Sequence, residues 1–169
     1  MAERLCELME TFDKSTQCCF TGHRPEKLNI SEEEAKALLC SAIQVALDRG
    51  YRTFITGMAK GVDIWAGELL LDFKNVYPDI KLICALPYPS FYRGRSKAEQ
   101  AAYKKILSAA NLVHMSYPSY SPLSYQSRNM WMVDNSSLVI TLFTGETGGT
   151  RNTIRYAESQ GLEILNLLN

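Results

Sequence analysis

The sequence has no long apolar run. No stretch of it approaches the roughly 20 residues that a membrane-spanning helix needs, so no such helix and no membrane insertion are expected. It also has no excess of charge: 18 Lys and Arg balance 18 Asp and Glu. Broad electrostatic binding to DNA, RNA or an anionic membrane needs a concentrated positive field, which this balance does not supply, although a local basic pocket stays open. Histidine is scarce, with two residues, and no C-x-x-C pair occurs. A structural zinc site is therefore not expected, and no metal is assigned. The five cysteines are odd in number, Cys18 and Cys19 adjoin, and most lie in apolar surroundings. That pattern suggests reduced thiols and a cytoplasmic setting, not a disulfide framework. Glu3, Glu7, Glu10 and Asp13 make the first residues unlike a secretory signal.

What is present is a chain of 169 residues with 46% hydrophobic and 21% charged residues. These values suit one soluble domain with a real core. Leu5, Leu8, Met9 and Phe12 recur at helical spacing, so residues 1–16 are read as an amphipathic helix packing on a domain of residues 17–169. The remainder alternates short apolar strands with helices. Strands are expected at 17–21, 52–56, 81–86, 112–115, 138–143 and 163–167. Ser31 with Glu34 forms a capping box for a helix ending at Gly50. Further helices are expected around 64–73, 96–110, 126–135 and 153–160. This alternation predicts an α/β, Rossmann-like three-layer fold with a mainly parallel central sheet. Right-handed crossovers place the carboxyl ends of all strands on one edge, where open α/β sheets bind ligands.

The loops at that edge share a composition. They read Thr21-Gly22-His23-Arg24, Thr56-Gly57 through Gly61 to Asp63, Pro87-Tyr88-Pro89, and Thr144 to Asn152. The last is the most specific. A strand, a loop carrying Gly145, Gly148 and Gly149, and a helix let a backbone approach a phosphate: glycine removes side chains, and the first helical amides lack internal partners. Thr150, Arg151 and Asn152 add polar and cationic groups there. The loop is neither a Walker sequence nor a G-x-G-x-x-G fingerprint, which disfavours an ATPase or an ordinary dehydrogenase.

The candidate ligand-binding residues are Gly22, Arg24, Gly57, Gly61, Asp63, Tyr88, Arg128, Asn129, Gly148, Gly149, Thr150, Arg151 and Asn152. Each has a plainer alternative. A lone glycine permits a turn, Asp63 caps a helix, Arg24 is a solvated charge, and Arg128 and Asn129 sit on a surface helix. Trp65 is read as core, Tyr88 as the better platform for a flat base, and His23, with no visible partner, as a core or surface histidine.

Taken together, Thr21-Gly22-His23-Arg24-Pro25, Gly57 to Trp65, Arg128 to Asp134 and Gly148 to Thr153 resemble the YpsA-like branch of the SLOG superfamily, Rossmann-like domains related to DprA and to the LOG phosphoribohydrolases. The resemblance implies a site for a nucleotide or nucleotide-derived ligand, NAD- or ADP-ribose-like, and a sensing role linked to bacterial cell division or stress. LOG enzymes follow their glycine loop with a catalytic glutamate, whereas Thr150 here is followed by Arg151, Asn152 and Thr153. No catalytic residue is assigned on that basis. Two alternatives stand: a nucleotide hydrolase using Asp63 or Glu146, and an interaction module acting through the first helix and the tyrosine-rich loop 116–125. Homo-oligomer formation is left open.

Overall fold

A computed structural model describes residues 13–168. Six parallel strands form one sheet: β1 (Gln17–Gly22), β2 (Thr53–Thr56), β3 (Lys81–Leu86), β4 (Leu112–Met115), β5 (Leu138–Leu142) and β6 (Glu163–Asn166), in the order β4-β3-β2-β1-β5-β6. Between them run α1 (Glu32–Asp48), α2 (Val62–Val76), α3 (Lys97–Ala109), α4 (Ser124–Asp134) and α5 (Gly149–Ser159). Residues 1–12 of the expected first helix lie outside the described residues, and Lys14–Thr16 form a short 3-10 turn.

The central strands are buried on both faces, as a parallel sheet between helices requires. Alternation along them sends Cys18, Phe20, Phe54, Leu82, Leu138 and Ile140 toward α1, α2 and α3, where Leu39, Ile43, Trp65, Leu70 and Ile106 complete the larger core. Cys19, Ile55, Ile83 and Val139 point the other way, onto Met132 and Val133 of α4 and Ala157 of α5. Capping boxes fix two helix starts: Ser31 and Glu34 exchange bonds of 3.1 and 2.8 Å, and Ser96 and Glu99 exchange bonds of 3.2 and 2.8 Å.

Chain order grows outward from β1 in one direction through β2, β3 and β4, then returns to place β5 on the opposite side of β1. Registers Cys18 with Phe54 and Cys18 with Leu138 show β1 flanked by both. This reversal leaves a crevice at the carboxyl ends of β1 and β5, because the two following connections depart to opposite faces.

Candidate functional site

Three strand exits build the crevice. β1 ends at Gly22, where a Cβ would fall 2.4 Å from Cγ2 of Val62, so glycine alone lets the strand end meet the start of α2. The chain then turns through His23 and Arg24 into a 3-10 turn, Pro25–Lys27. The His23 amide donates to the Leu142 carbonyl at 3.2 Å, extending the β1–β5 pairing past the sheet.

β2 exits into a loop that folds back on Asp63. Thr56 Oγ1 accepts from the Met58 amide at 3.2 Å and donates to the Asp63 carbonyl at 2.8 Å. Asp63 Oδ2 accepts from the Ala59 amide at 3.2 Å. Met58 has φ 60°, uncommon for a side-chain-bearing residue, and burial of its whole side chain in the core holds it there. Two arginines clamp this loop from elsewhere. Arg128 of α4 donates from Nη1 to the Gly57 carbonyl and from Nε to Asn129 Oδ1 at 2.7 Å. Arg95, just before α3, donates to the Met58 carbonyl at 3.0 Å. A Cβ on Gly57 would lie 2.8 Å from Asp63 Oδ2 and 2.9 Å from Arg128 Nη1, so the missing side chain is what admits both charges.

Asp63 and Arg128 are 6% and 4% exposed, which makes them costly charges unless they serve each other or a ligand. Burial pushes the Asp63 carboxyl up to about 6, against the opposing pull of the Arg128 guanidinium, the Ala59 amide and Arg95. Burial likewise lowers Arg128 from its ordinary value, with Asp63 pulling it back.

The third exit leads from β5 to α5. Gly148, at φ 139° and ψ −167°, occupies a region open to glycine. The helix begins at Gly149, earlier than the expected start at Thr153, because the Asn152 amide already donates to the Gly148 carbonyl at 3.1 Å. Gly149, Thr150, Arg151 and Asn152 are thus the first turn and not loop. The amides this helix leaves without a carbonyl are those of Gly149, Thr150 and Arg151.

These pieces surround a cavity of about 680 Å³, within the range of small-molecule sites. Five cations line it (Arg24, Lys27, Lys60, Arg95 and Arg128) against three carboxylates (Glu26, Asp63 and Glu99). Glu99 is already paired with Lys60 at 3.1 Å, so the remaining lining is basic. Phe91 and Tyr125 add aromatic walls, with the Arg95 and Arg128 guanidinium carbons 5.0 and 5.8 Å from their ring centres.

Of the candidate residues, Gly22, Arg24, Asp63, Arg128, Asn129, Gly148, Gly149 and Thr150 line this cavity together. Gly57 and Gly61 lie beneath it as backbone that must pass close to other groups; a Cβ on Gly61 would fall 2.8 Å from Cδ of Pro25. Arg151 and Asn152 are outside the lining, as is Tyr88. Tyr88 sits behind Tyr125, its hydroxyl 3.2 Å from that of Tyr125 and its ring 5.9 Å away. The flat-ring platform facing the cavity is therefore Tyr125 and Phe91. Phe91, Arg95 and Tyr125 are not among the sequence-based candidates: Pro87-Tyr88-Pro89 marks the β3–α3 connection as part of the rim, but Phe91 and Arg95 lie beyond that motif, and Tyr125 belongs to the tyrosine-rich loop read as an interaction surface. His23 is named from the sequence in the first edge loop but read as a core or surface histidine; its place one residue beyond a strand end is the signal for more. Trp65 is core, as expected.

A profile of the YspA SLOG family (YpsA) matches residues 18–163. The chain belongs to that family. The UPF0398 protein YpsA of Bacillus subtilis (strain 168) is 26% identical over 140 residues, covering 77% of each chain. Among solved structures, DNA processing protein A (DprA) from Streptococcus pneumoniae superposes with a TM-score of 0.64 at 19% identity, over 94% of this chain and 50% of that one. This chain thus spans about half the length of that protein. DprA from Helicobacter pylori, described with a single-stranded DNA binding mode, matches with the same TM-score and identity over 94% of this chain and 66% of its own. These likenesses establish a Rossmann-like SLOG fold. They lend no support to the expectation of no broad nucleic-acid binding: balanced charge argued against an extended basic surface, and a local basic cavity is what the fold contains. Among the described residues no helix is long and apolar enough to cross a membrane.

Proposed function

We propose that this cavity binds a nucleotide or nucleotide-derived ligand, of the NAD or ADP-ribose kind, and that the domain senses it. The observation that carries the reading is the meeting, at the β1/β5 reversal, of the open first turn of α5 with three arginines and a buried aspartate. Helix-end amides and guanidinium groups receive phosphate oxygens. Asp63 accepts from ribose hydroxyls, and Tyr125 or Phe91 packs on the base. Isothermal calorimetry against a panel of nucleotides, NAD and ADP-ribose tests it. Saturable binding is expected, and the absence of binding across the panel overturns it.

A second reading, hydrolysis of a nucleotide, has one observation in its favour: Asp63 lines the cavity with a carboxyl pushed up to about 6, near the range of an acid–base catalyst. Glu146, the other carboxylate considered, is exposed on the β5–α5 connection. Product release from a nucleoside monophosphate panel, abolished in Asp63→Asn, favours hydrolysis; intact ligand after prolonged incubation removes it.

A strand of DNA is separable from both by salt. A mononucleotide in this cavity involves few phosphates, whereas a bound single strand loses affinity with a log–log slope of about −0.7 per phosphate engaged. The cavity reading expects a thymidine dodecamer to bind no tighter than a mononucleotide and with an equally shallow slope.

A further inference from the structure

Among the described residues, His23 lines the cavity with a buried ring nitrogen that has no hydrogen-bond partner. It is 4% exposed. Its Nε2 is buried and meets no donor or acceptor among the described residues. Buried polar atoms are nearly always paired, so an orphan at the wall of a cavity marks a contact that the chain itself does not complete. Its ring is held in place, 5.2 Å from that of Phe143, and its backbone amide is tied to Leu142. The same cavity contains Gly148, Gly149 and Thr150, the opening of α5.

We infer that His23 is a ligand-contacting residue, its Nε2–H donating to the phosphoryl group that the first turn of α5 receives. The inference rests on the nucleotide reading for the rest of the ligand, but a phosphate-class group alone suffices for this contact. A neutral imidazole carries one N–H donor and fits an acceptor-only phosphoryl oxygen. Burial favours the neutral form by holding the imidazole below its ordinary value, against the opposing field of Glu146. His23 would act as a fixed donor placed by the β1 exit, opposite the amides placed by the β5 exit.

With two histidines in the chain, long-range ¹⁵N–¹H spectra read each ring separately. His114 is an internal control: it stacks on Trp131 at 3.9 Å and lies outside the cavity lining. Titration with pyrophosphate, AMP and adenosine is expected to displace the His23 Nε2 resonance saturably with the first two, not with adenosine, while His114 stays fixed. If neither pyrophosphate nor AMP moves His23, the inference is overturned. If pyrophosphate moves it and no nucleotide binds, the inference stands and the nucleotide reading falls. His23→Phe keeps a ring against Phe143 and removes the donor; it should weaken AMP or pyrophosphate by about ten- to a hundredfold, the range for a hydrogen bond to a charged group. His23→Gln, which restores an N–H, should recover part of that loss. Unchanged affinity in a folded His23→Phe protein overturns the inference, and the spectra of the unaltered protein decide the matter should that variant not fold.

Discussion

At the scale of single residues, burial of Asp63 has a consequence that pH reads directly. Its carboxyl titrates near 6 when folded and near 3.8 as an ordinary aspartate. Because the folded value is raised, the folded chain holds the proton longer than the unfolded chain. Between about pH 4 and pH 6 the native state therefore binds more protons, and this group's contribution to stability falls as pH rises, then levels above 6. The shift corresponds to roughly 3 kcal/mol. Asp63→Asn removes that dependence. In urea unfolding at pH 4 and pH 7, the variant should gain about 2–3 kcal/mol on the parent protein between the two conditions; parallel curves would show that Asp63 is not held at a raised value. Sequence alone offered two roles for this residue, helix cap or ligand group. The structure places Asp63 inside α2, with Gly61 at the cap, and its Oδ2 accepts from the Ala59 amide of the β2 loop. No local pattern could show this, since the partner Arg128 arrives from 65 positions onward in the numbering of the chain.

At the scale of elements, substitutions at the start of α5 can separate folding from the proposed binding. A Cβ at Gly149 would meet nothing within 4 Å, so a side chain there costs little space. Gly149→Asp puts a carboxylate in the first turn, where it favours the helix by about 0.3–1 kcal/mol and repels an incoming anion. The expected result is unchanged or slightly raised thermal stability with ligand binding lost. Gly148 behaves oppositely. It too has open space around it, but its φ of 139° suits no other residue, so Gly148→Ala should cost about 1–3 kcal/mol through the backbone alone. Gly22→Ala fails for a third reason, collision with Val62, and should destabilise by about 1–3 kcal/mol in denaturant unfolding. Element types were legible because the apolar spacing is plain: β3 and β4 match their expected bounds, and Ser31 with Glu34 announces α1. The start of α5 was not legible. Two glycines in tandem read as loop by propensity, yet helical geometry begins at the second of them, set by the sheet behind it.

At the scale of the whole molecule, the site exists because chain order reverses at β1. The right-handed crossover rule foretold that strand ends share an edge, but the order along that edge depends on which side of β1 the chain returns to, and local spacing is silent on it. Only after β5 is placed beside β1 do His23 and Thr150 become neighbours of one cavity. The same placement puts Asp63 and Arg128 on helices from opposite layers, α2 and α4, meeting over Gly57. The proposed ligand, seated between them, would tie both layers and both halves of the sheet and so would favour the native state. At a concentration of one hundred times its dissociation constant it adds about 2.7 kcal/mol. For a chain of 169 residues that is a rise in unfolding temperature of about 5–10 °C. Differential scanning fluorimetry with AMP, NAD and ADP-ribose should show this rise for at least one of them, growing with the logarithm of concentration. In Gly149→Asp the rise should vanish while the ligand-free unfolding temperature does not fall. A temperature rise that survives Gly149→Asp would place the ligand somewhere other than the β1/β5 reversal.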